Sequence, residues 1–469
     1  MKNTFNNHDL KRELGLFSAT ILVVANMIGT GIFTTSGFIL EELHNPYTML
    51  ACWFFGGFFA LCGALCYGEL GALFPRAGGE YVFLRQGLGK VMGFLSGWIS
   101  LIVGFSAPIA AAAIAFASYL FQSFSLPCPN WNLTLGKVQI LNLSPINLTA
   151  VTIIIGLSLI HFHSLLIGSK VQNGLTIFKI AFLLIFIVTG LWIGQGSTLH
   201  FGSHFKIGSL FQDSFAVSLV FVAFAYSGWN AAAYLGSEIK DPGRNIPLSL
   251  ITGTIIVLVL YLLLNLVFIY ALPPQKMSGV LEIGTKSANA LFGNDISSYF
   301  SLAIAIGLLS VLSAMIMSGP RIYFAMAKDK VFFKFFSQVN SKRHTPAHSI
   351  FLQAGIAILM VLTTSFNSLL MYIGFTLSLF AMLTVIGLFR IRRQVDHQKL
   401  TYRTFGYPIT PIIFILGNLW IIFFSIKSRP LAPLMGLATI GLGLILYLTF
   451  QKRPDCRQMR TEPVSDQKN

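Results

Sequence analysis

Twelve long apolar stretches dominate this sequence. Each is long enough for a helix to cross the roughly 30 Å hydrocarbon core of a bilayer, which takes about 20 residues. They lie at about 16–41, 48–74, 91–123, 147–168, 171–195, 211–237, 247–272, 297–326, 347–365, 367–391, 408–427 and 430–450. Only 10% of the 469 residues are charged, against about 25% in soluble domains. The pattern predicts an all-α polytopic membrane protein with twelve transmembrane helices.

The basic residues indicate how these helices are oriented. Lys and Arg number 32, against 16 Asp and Glu. With an even number of spans both termini share one side, and that side holds 25 of the 32 basic residues, while the other side holds six and one lies inside a span. Lys and Arg concentrate in cytoplasmic loops. The count predicts cytoplasmic termini and explains the positive charge without a nucleic-acid partner.

Two apolar stretches are interrupted by glycine in their middle. Residues 27–31 read MIGTG in the first stretch, and residues 224–230 read FAYSGWN in the sixth. The sixth stretch comes five positions after the first, an odd number, so the two cross the membrane in opposite directions. One explanation is that these glycines only let neighbouring helices pack closely. Breaks at matching places in inverted halves instead favour a transporter binding site near the bilayer midplane.

A broken helix in lipid needs a polar ligand, because each unpaired backbone group there costs several kcal/mol. Amides that begin a half-helix favour a carboxylate, and carbonyls that end one favour an ammonium group. The predicted groups are the amides of Gly29, Thr30 and Gly31 with the Thr30 hydroxyl, the carbonyls of Met27 and Ile28, the carbonyls of Phe224 and Ala225, and the amides of Ser227 and Gly228. Together they fit a zwitterion, the part that all α-amino acids share.

Lys179 is the one basic residue inside a predicted span. It lies about eight residues, or roughly 12 Å, into the fifth stretch. A charge at that depth usually faces a cavity or a partner. A lysine can also extend its stem to the membrane surface, and position alone leaves both interpretations open.

No pattern indicates a metal site, a cofactor or an enzyme. The five cysteines follow no metal-binding or disulfide spacing. His161 and His163 are two residues apart on a helix, so their rings point in nearly opposite directions and chelate poorly. There is no nucleophile with a matching base. We therefore predict no cofactor, no metal and no catalysed reaction.

Five fragments together resemble a known family. They are LGL at 14–16 with MIGTGIF at 27–33, GELGALFPRAGGEYVFL at 68–84, KVQNGLTIFK at 170–179, FAYSGWN at 224–230 with SEIKDPGRNIP at 237–247, and SGPRIYFAMAKD at 318–329. In their order and on these spans they resemble the amino acid, polyamine and organocation superfamily. The chain is most similar to its L-type amino acid transporter branch and the related bacterial permeases.

The resemblance implies the LeuT-type fold and an alternating-access cycle. That fold has two inverted repeats of five spans, here followed by two more helices. The implied division is a cytoplasmic tail at 1–15, a first repeat at 16–195, a second repeat at 211–391, two helices at 408–450 and a cytoplasmic tail at 451–469.

The resemblance also implies roles for single residues. Thr30 and Gly31 would bind the substrate carboxylate, and the carbonyls of Met27, Ile28 and Phe224 would take the amine. The Phe224 ring would form a thin gate, and Ser227 would border the side-chain pocket. Lys179 would stand in for the second sodium ion of sodium-coupled relatives, linking the first break to the eighth span at Ser313.

Cys128 is relevant to whether this chain pairs with a second protein. Eukaryotic members of this branch pair with a glycoprotein through a cysteine between spans three and four, where Cys128 lies. Its setting, Pro127-Cys128-Pro129, does not match that site securely, and the short tails are typical of bacterial members. We expect a chain without that heavy-chain partner.

The sequence thus predicts a sodium-independent amino acid transporter of the cell membrane. It is a proton symporter if Lys179 gains and loses a proton, and an exchanger if Lys179 stays charged. A cationic amino acid or polyamine permease is the alternative within transport, although the pocket residues named so far include no carboxylate. A sensor that binds amino acids without transport is a further alternative, and so, more remotely, is a membrane enzyme.

Overall fold

A computed structural model describes residues 11–451 except 125, 128, 130, 136–137, 203–204, 281, 339–344, 364–365, 396–399 and 429. Its first half contains α1 (Leu16–Met27), α2 (Thr30–Leu43), α3 (Pro46–Leu73), α4 (Glu80–Leu88), α5 (Lys90–Ile99), α6 (Ala107–Ser123), α7 (Pro145–His163) and α8 (Leu165–Trp192). A π-helical segment, Ser100–Ser106, makes α5 and α6 continuous.

The second half is also helical. It contains α9 (Asp213–Ala225), α10 (Ala231–Tyr234), α11 (Pro242–Ala271), α12 (Pro274–Met277), α13 (Ile283–Phe292), α14 (Asn294–Ser318), α15 (Pro320–Lys328), α16 (Ala347–Thr363), α17 (Phe366–Gln394), α18 (Ile409–Ser428) and α19 (Leu431–Gln451). Short 3-10 turns lie at Thr198–Phe201, Ile207–Phe211 and Lys334–Ser337.

Local signals begin several of these helices. The Asn45 side chain accepts a hydrogen bond from the Thr48 amide at 3.0 Å, and Pro46 occupies the first turn of α3. Ser144 caps α7 in the same way, with Pro145 in its first turn. A capping oxygen satisfies an amide that has no partner within the helix, and proline there loses no hydrogen bond.

The described structure is helical as expected, apart from one hairpin. Between α6 and α7 lie two antiparallel strands, β1 (Trp131–Leu135) and β2 (Val138–Leu143). This stretch is Asn- and Leu-rich and contains alternating residues that suit a hairpin. The strands lie in the loop predicted between the third and fourth spans, so they leave the helical architecture unchanged. Cys128, the candidate for a partner bond, lies outside the described residues.

Eight helical segments of the described chain are long and apolar enough to cross a membrane: Pro46–Leu73, Lys90–Ser123, Pro145–His163, Leu166–Trp192, Pro242–Ala271, Ser298–Lys328, Tyr372–Gln394 and Ile409–Ser428. The pair α1 and α2, bent by 41° at its break, makes a ninth if it is one span. Shorter apolar helices lie in the sixth, ninth and twelfth predicted stretches. The protein is a polytopic membrane protein, and the count of twelve stays a prediction.

The two broken helices lie at the centre of the bundle. α1 packs against α11, α8 and α14, and α2 packs against α9. α3 runs along α11, and α6 runs along α14. Both interruptions are therefore surrounded by other helices, which is where irregular backbone is tolerated at membrane depth.

Candidate functional site

The first break is short. α1 ends at Met27, the Gly29 amide donates to the Met27 carbonyl at 2.8 Å, and α2 begins at Thr30. No side chain caps the start of α2. The amides of its first turn have no partners within the helix and carry the positive end of the helix dipole. The break thus presents donors suited to an anion, as the sequence predicts.

The second break is longer. α9 ends at Ala225, and a turn over 226–230 precedes α10. Gly228 has φ +97°, a left-handed conformation that side chains rarely adopt. A Cβ built there would lie 2.8 Å from the Cβ of Asn26, so the turn also needs glycine for its close approach to α1. The Phe224 carbonyl, predicted to take the amine, accepts the Ser227 amide at 3.0 Å.

The two breaks touch each other. A Cβ built on Gly31 would lie 2.6 Å from the Cα of Ala225. The hydroxyl of Tyr261 on α11 lies 2.7 Å from the Met27 carbonyl oxygen and 3.0 Å from that of Ala225, and donates to these two helix ends. Tyr261 is fully buried. Sequence reasoning missed it, because one aromatic residue in an apolar stretch gives no signal of its partners.

Lys179 reaches the first break. Its side chain is 2% exposed, so it does not extend to the membrane surface. Its ammonium donates to the carbonyl of Ile28 at 2.5 Å and to that of Ala25 at 3.3 Å. Carbonyls at the end of a half-helix carry partial negative charge, which a buried ammonium complements. The structure thus favours the interpretation in which Lys179 faces a partner inside the protein.

The hydrogen bonds of Lys179 in the described structure do not include Ser313, and the link between the two residues stays a prediction. Ser313 instead forms a 2.7 Å hydrogen bond with Nε2 of His161 on α7, and both side chains are buried. Lys179 meets α14 through its aliphatic stem beside Gly307, where a built Cβ would lie 3.4 Å from the lysine Cγ. The bond to His161 could not be foreseen, because the histidine stands 152 residues from the serine.

The carbonyls assigned to the substrate amine already have protein donors. Met27 accepts from Tyr261, and Ile28 accepts from Lys179. A carbonyl oxygen has two lone pairs, so the Ile28 carbonyl can accept a second hydrogen bond. The Met27 carbonyl also accepts from the Gly29 amide at 2.8 Å and already has two donors. Their role in binding an amine stays a prediction, and the bonds to Tyr261 and Lys179 hold the two carbonyls in place for it.

Two adjoining cavities lie at the breaks. The smaller, about 20 Å³, is bordered by Met27, Gly29, Thr30, Gly31, Phe224 and Ala225. The larger, about 90 Å³, extends from there to Gly56, Ser100, Trp229, Asn230, Ser378 and Asn418. Asn26, Pro108, Ser227 and Met315 border both. The smaller cavity holds about one water molecule, so a ligand gripped at the breaks also extends into the larger cavity.

The wall of the larger cavity includes a carboxylate, Glu80, at the start of α4. The sequence-based inventory of the pocket, which contained no carboxylate, is therefore incomplete. Glu80 follows the loop after α3 and is 4% exposed. An acidic residue directly after two glycines, in a segment with Arg76, is typical of a solvated loop, so its burial could not be predicted from the sequence.

The arrangement offers donors at the start of α2 and acceptors at the ends of α1 and α9, next to a partly apolar cavity. It suits a small zwitterion with a variable side chain. Among the described residues, no three His, Cys, Asp or Glu side chains are grouped as metal ligands would be.

Comparison with known proteins gives consistent matches along the chain. The family described as amino acid permease matches residues 14–445. The serine/threonine exchanger SteT of Bacillus subtilis (strain 168) is 29% identical over 454 residues, 95% of this chain and 98% of the relative. The b(0,+)-type amino acid transporter 1 of Mus musculus is 29% identical over 94% of this chain and 88% of its own length. The large neutral amino acids transporter small subunit 2 of Homo sapiens is 27% identical, covering 95% and 82%.

Proposed function

The chain belongs to the amino acid permease family, and from this premise we propose that it transports amino acids across the cell membrane without sodium. Membership confirms the resemblance and the amino acid transport function predicted from the sequence. These relatives are named as transporters or exchangers, not as enzymes. The independence from sodium, the division into repeats and the roles of single residues are our proposals.

The observation that carries the proposal is the contact of Lys179 with the first break. Its ammonium lies against the carbonyls of Ala25 and Ile28, and carbonyl oxygens are also the ligands that a sodium ion takes from an unwound helix in a transporter. The amino group of Lys179 already occupies this place, and its protonated form supplies the positive charge. The chain therefore needs no sodium ion to stabilise the end of α1.

The proposed substrate is an α-amino acid bound by its backbone groups. Its carboxylate would meet the first-turn amides of α2, with Thr30 and Gly31, and its ammonium the carbonyls near the two breaks. Its side chain would extend toward Ser227 and the larger cavity. Phe224, 8% exposed and on the border of the smaller cavity, supports the proposed thin gate.

We further propose twelve spans in two inverted repeats, 16–195 and 211–391, followed by two helices at 408–450, with both termini in the cytoplasm and no heavy-chain partner. Contact between one break from each repeat supports this division. A site between two repeats allows access to alternate as one moves against the other.

Transport by purified protein in lipid vesicles tests the proposal. We expect uptake of an equimolar, labelled mixture of the twenty L-amino acids in sodium-free buffer. Lys179→Ala should lower that uptake at least tenfold, because it leaves the carbonyl end of α1 without its cation. Lys170→Ala is the matched control, since Lys170 is an exposed lysine on the same helix.

Two outcomes would contradict the proposal. One is uptake that strictly requires sodium and that is the same in Lys179→Ala as in the wild type. The other is binding of amino acids without any flux, which would indicate a sensor. Competition by each amino acid in turn then identifies the preferred side chain, with lysine, arginine and a polyamine included to test the cationic alternative.

A further inference from the structure

Three carboxylates are buried among the described residues, and two of them are paired with arginine. Glu69 binds Arg392, with nitrogen–oxygen distances of 2.6 and 2.5 Å. Glu238 binds Arg321 at 2.9 and 3.0 Å. The third, Glu80, has no Lys, Arg or His partner in the part of the chain that the structure describes. A buried carboxylate without a cation is costly as an anion, so Glu80 needs a separate explanation.

Neutral groups hold Glu80 by one oxygen. The Tyr67 hydroxyl on α3 and the Asn230 side-chain amide each donate to Oε1 at 2.7 Å. Among the described residues nothing donates to Oε2. Because Glu80 also borders the larger cavity, one carboxylate oxygen is fixed to the protein and the other is left for a ligand.

Among the residues that the structure describes, no charged side chain contacts Glu80. The titratable groups facing it are the hydroxyls of Tyr67 and of Tyr234 on α10, which accepts from Asn230 at 3.1 Å. Arg85, on α4 itself, is paired with Asp329. On α17, which packs along α4, Arg392 is paired with Glu69, and Arg390 and Arg393 are exposed.

Burial therefore has the largest effect on the pKa of the Glu80 carboxyl. It raises the pKa of Glu80 to about 7, against the lowering by its hydrogen bonds from Tyr67 and Asn230. Loss of hydration disfavours the charged form, and two neutral donors offset only part of that cost. A group with this balance changes its protonation state near neutral pH.

We propose that Glu80 is a proton-binding site of the transport cycle, so that amino acid uptake is coupled to proton entry. Oε2 takes a proton from water in the cavity and returns it to water on the cytoplasmic side, and no other bond forms or breaks. This assignment rests on the proposed transport function. It makes the protein a proton symporter whose proton site is Glu80 and not Lys179, on which the sequence-based choice between symport and exchange depended.

The contacts of Glu80 explain how a proton can act on the substrate site. Asn230 ends the turn over 226–230 that forms the second break. A carboxylate accepts hydrogen bonds more strongly than a neutral carboxyl does. Protonation therefore weakens the hold of Glu80 on Asn230 and on α3, and frees the turn that borders the substrate.

A cationic substrate side chain is the other ligand that a carboxylate can take. A guanidinium pairs best with both carboxylate oxygens at once, whereas Oε1 of Glu80 already accepts two hydrogen bonds. The single open oxygen suits a proton better than a guanidinium. The test separates the two ligands.

The experiment uses full-length protein in vesicles that contain a pH-sensitive dye. The probe is the labelled equimolar mixture of the twenty L-amino acids. We expect wild-type uptake to rise as the outside is acidified, and the lumen to acidify when the mixture is added. Glu80→Gln should abolish amino-acid-driven acidification, and its remaining uptake should not depend on pH. Glu41→Gln, which alters an exposed carboxylate at the end of α2, should behave as the wild type.

Tyr67→Phe keeps the carboxyl and removes one donor to its charged form. The pKa of Glu80 should rise, moving the midpoint of the pH profile by about one unit toward alkaline pH. This variant tests the assignment of Glu80 as the proton site if Glu80→Gln fails to fold, as judged by size-exclusion chromatography. An unchanged midpoint in Tyr67→Phe would then overturn the assignment.

The remaining outcomes are distinct. No amino acid flux in the wild type means that the proposed function fails. Flux without proton entry, or proton entry unchanged in Glu80→Gln, overturns the proton site while transport stands. Selective loss of lysine and arginine uptake in Glu80→Gln, with proton entry intact, assigns the carboxylate to cationic side chains instead.

Discussion

Single residues show how far a buried charge can be interpreted from sequence. Lys179 stands out because an ionised side chain inside an apolar stretch is costly and needs partners. Its partners, Ala25 and Ile28, are more than 150 residues away along the chain, and only the packing of α8 against α1 identifies them. Glu80 gives no such signal, since nothing in its neighbouring sequence shows that it is buried.

Protonation of Glu80 should also change the stability of the folded protein, which can be measured without any transport. Its pKa rises from an ordinary 4.5 to about 7 on folding, so the folded state keeps a proton that the unfolded chain loses. The stabilisation is present below pH 4.5 and is lost as pH rises through 7, a change of about 3 kcal/mol. Glutamine does not titrate. The melting temperature of Glu80→Gln in detergent, minus that of the wild type, should therefore increase between about pH 5 and about pH 8.

Glu41→Gln is the control for this measurement, and its difference from the wild type should stay constant. A difference for Glu80→Gln that is equal at both pH values would show that the Glu80 carboxyl does not titrate in this range.

At the scale of elements, the two breaks form one unit rather than two independent interruptions. Each break can be found from glycine in an apolar stretch. Their contact depends on the missing side chain of Gly31, which lets the start of α2 approach Ala225 at the end of α9. Tyr261 on α11 then donates to both α1 and α9. This junction of α1, α2, α9 and α11 follows from packing, because no local pattern brings these elements together.

Gly31→Ala tests the junction. The added methyl would lie 2.6 Å from a backbone atom, so the helices must separate, at a cost of about 1–3 kcal/mol. We expect a lower melting temperature and loss of most uptake. Gly156→Ala on α7 is the matched control, because nothing lies within 4 Å of a Cβ built there. Equal behaviour of the two variants would show that the close approach does not matter.

For the whole molecule, the basic residues predict its orientation in the membrane. The described structure pairs Lys427 with Asp213 at 2.5 Å, so the end of α18 and the start of α9 lie on one face. Lys427 belongs to the sparsely charged side in the sequence count, whereas Lys90 belongs to the other. The pairing of α9 with α18 agrees with that count, and the positive-inside rule assigns this face to the exterior.

Cysteine labelling of intact cells tests the orientation. In a background where the native cysteines are replaced by alanine, a membrane-impermeant maleimide should label Lys427→Cys from outside. It should label Lys90→Cys only after the cells are opened. Both positions are exposed, and losing the exposed pair with Asp213 costs at most about 1 kcal/mol. The reverse labelling pattern would show that the orientation is inverted.

The polytopic helical character, the two glycine breaks and the lysine inside an apolar stretch can all be predicted from the sequence. Hydropathy, helix-breaking residues and a charge in an apolar stretch are properties of continuous segments, and the energetic cost of each in lipid is independent of the rest of the chain. Only the tertiary structure shows that Lys179 meets the carbonyls of Ala25 and Ile28 and that Ser313 bonds to His161. It also placed Tyr261 at the junction and Glu80 in the cavity wall. Those contacts join residues from distant helices, and helix packing selects them.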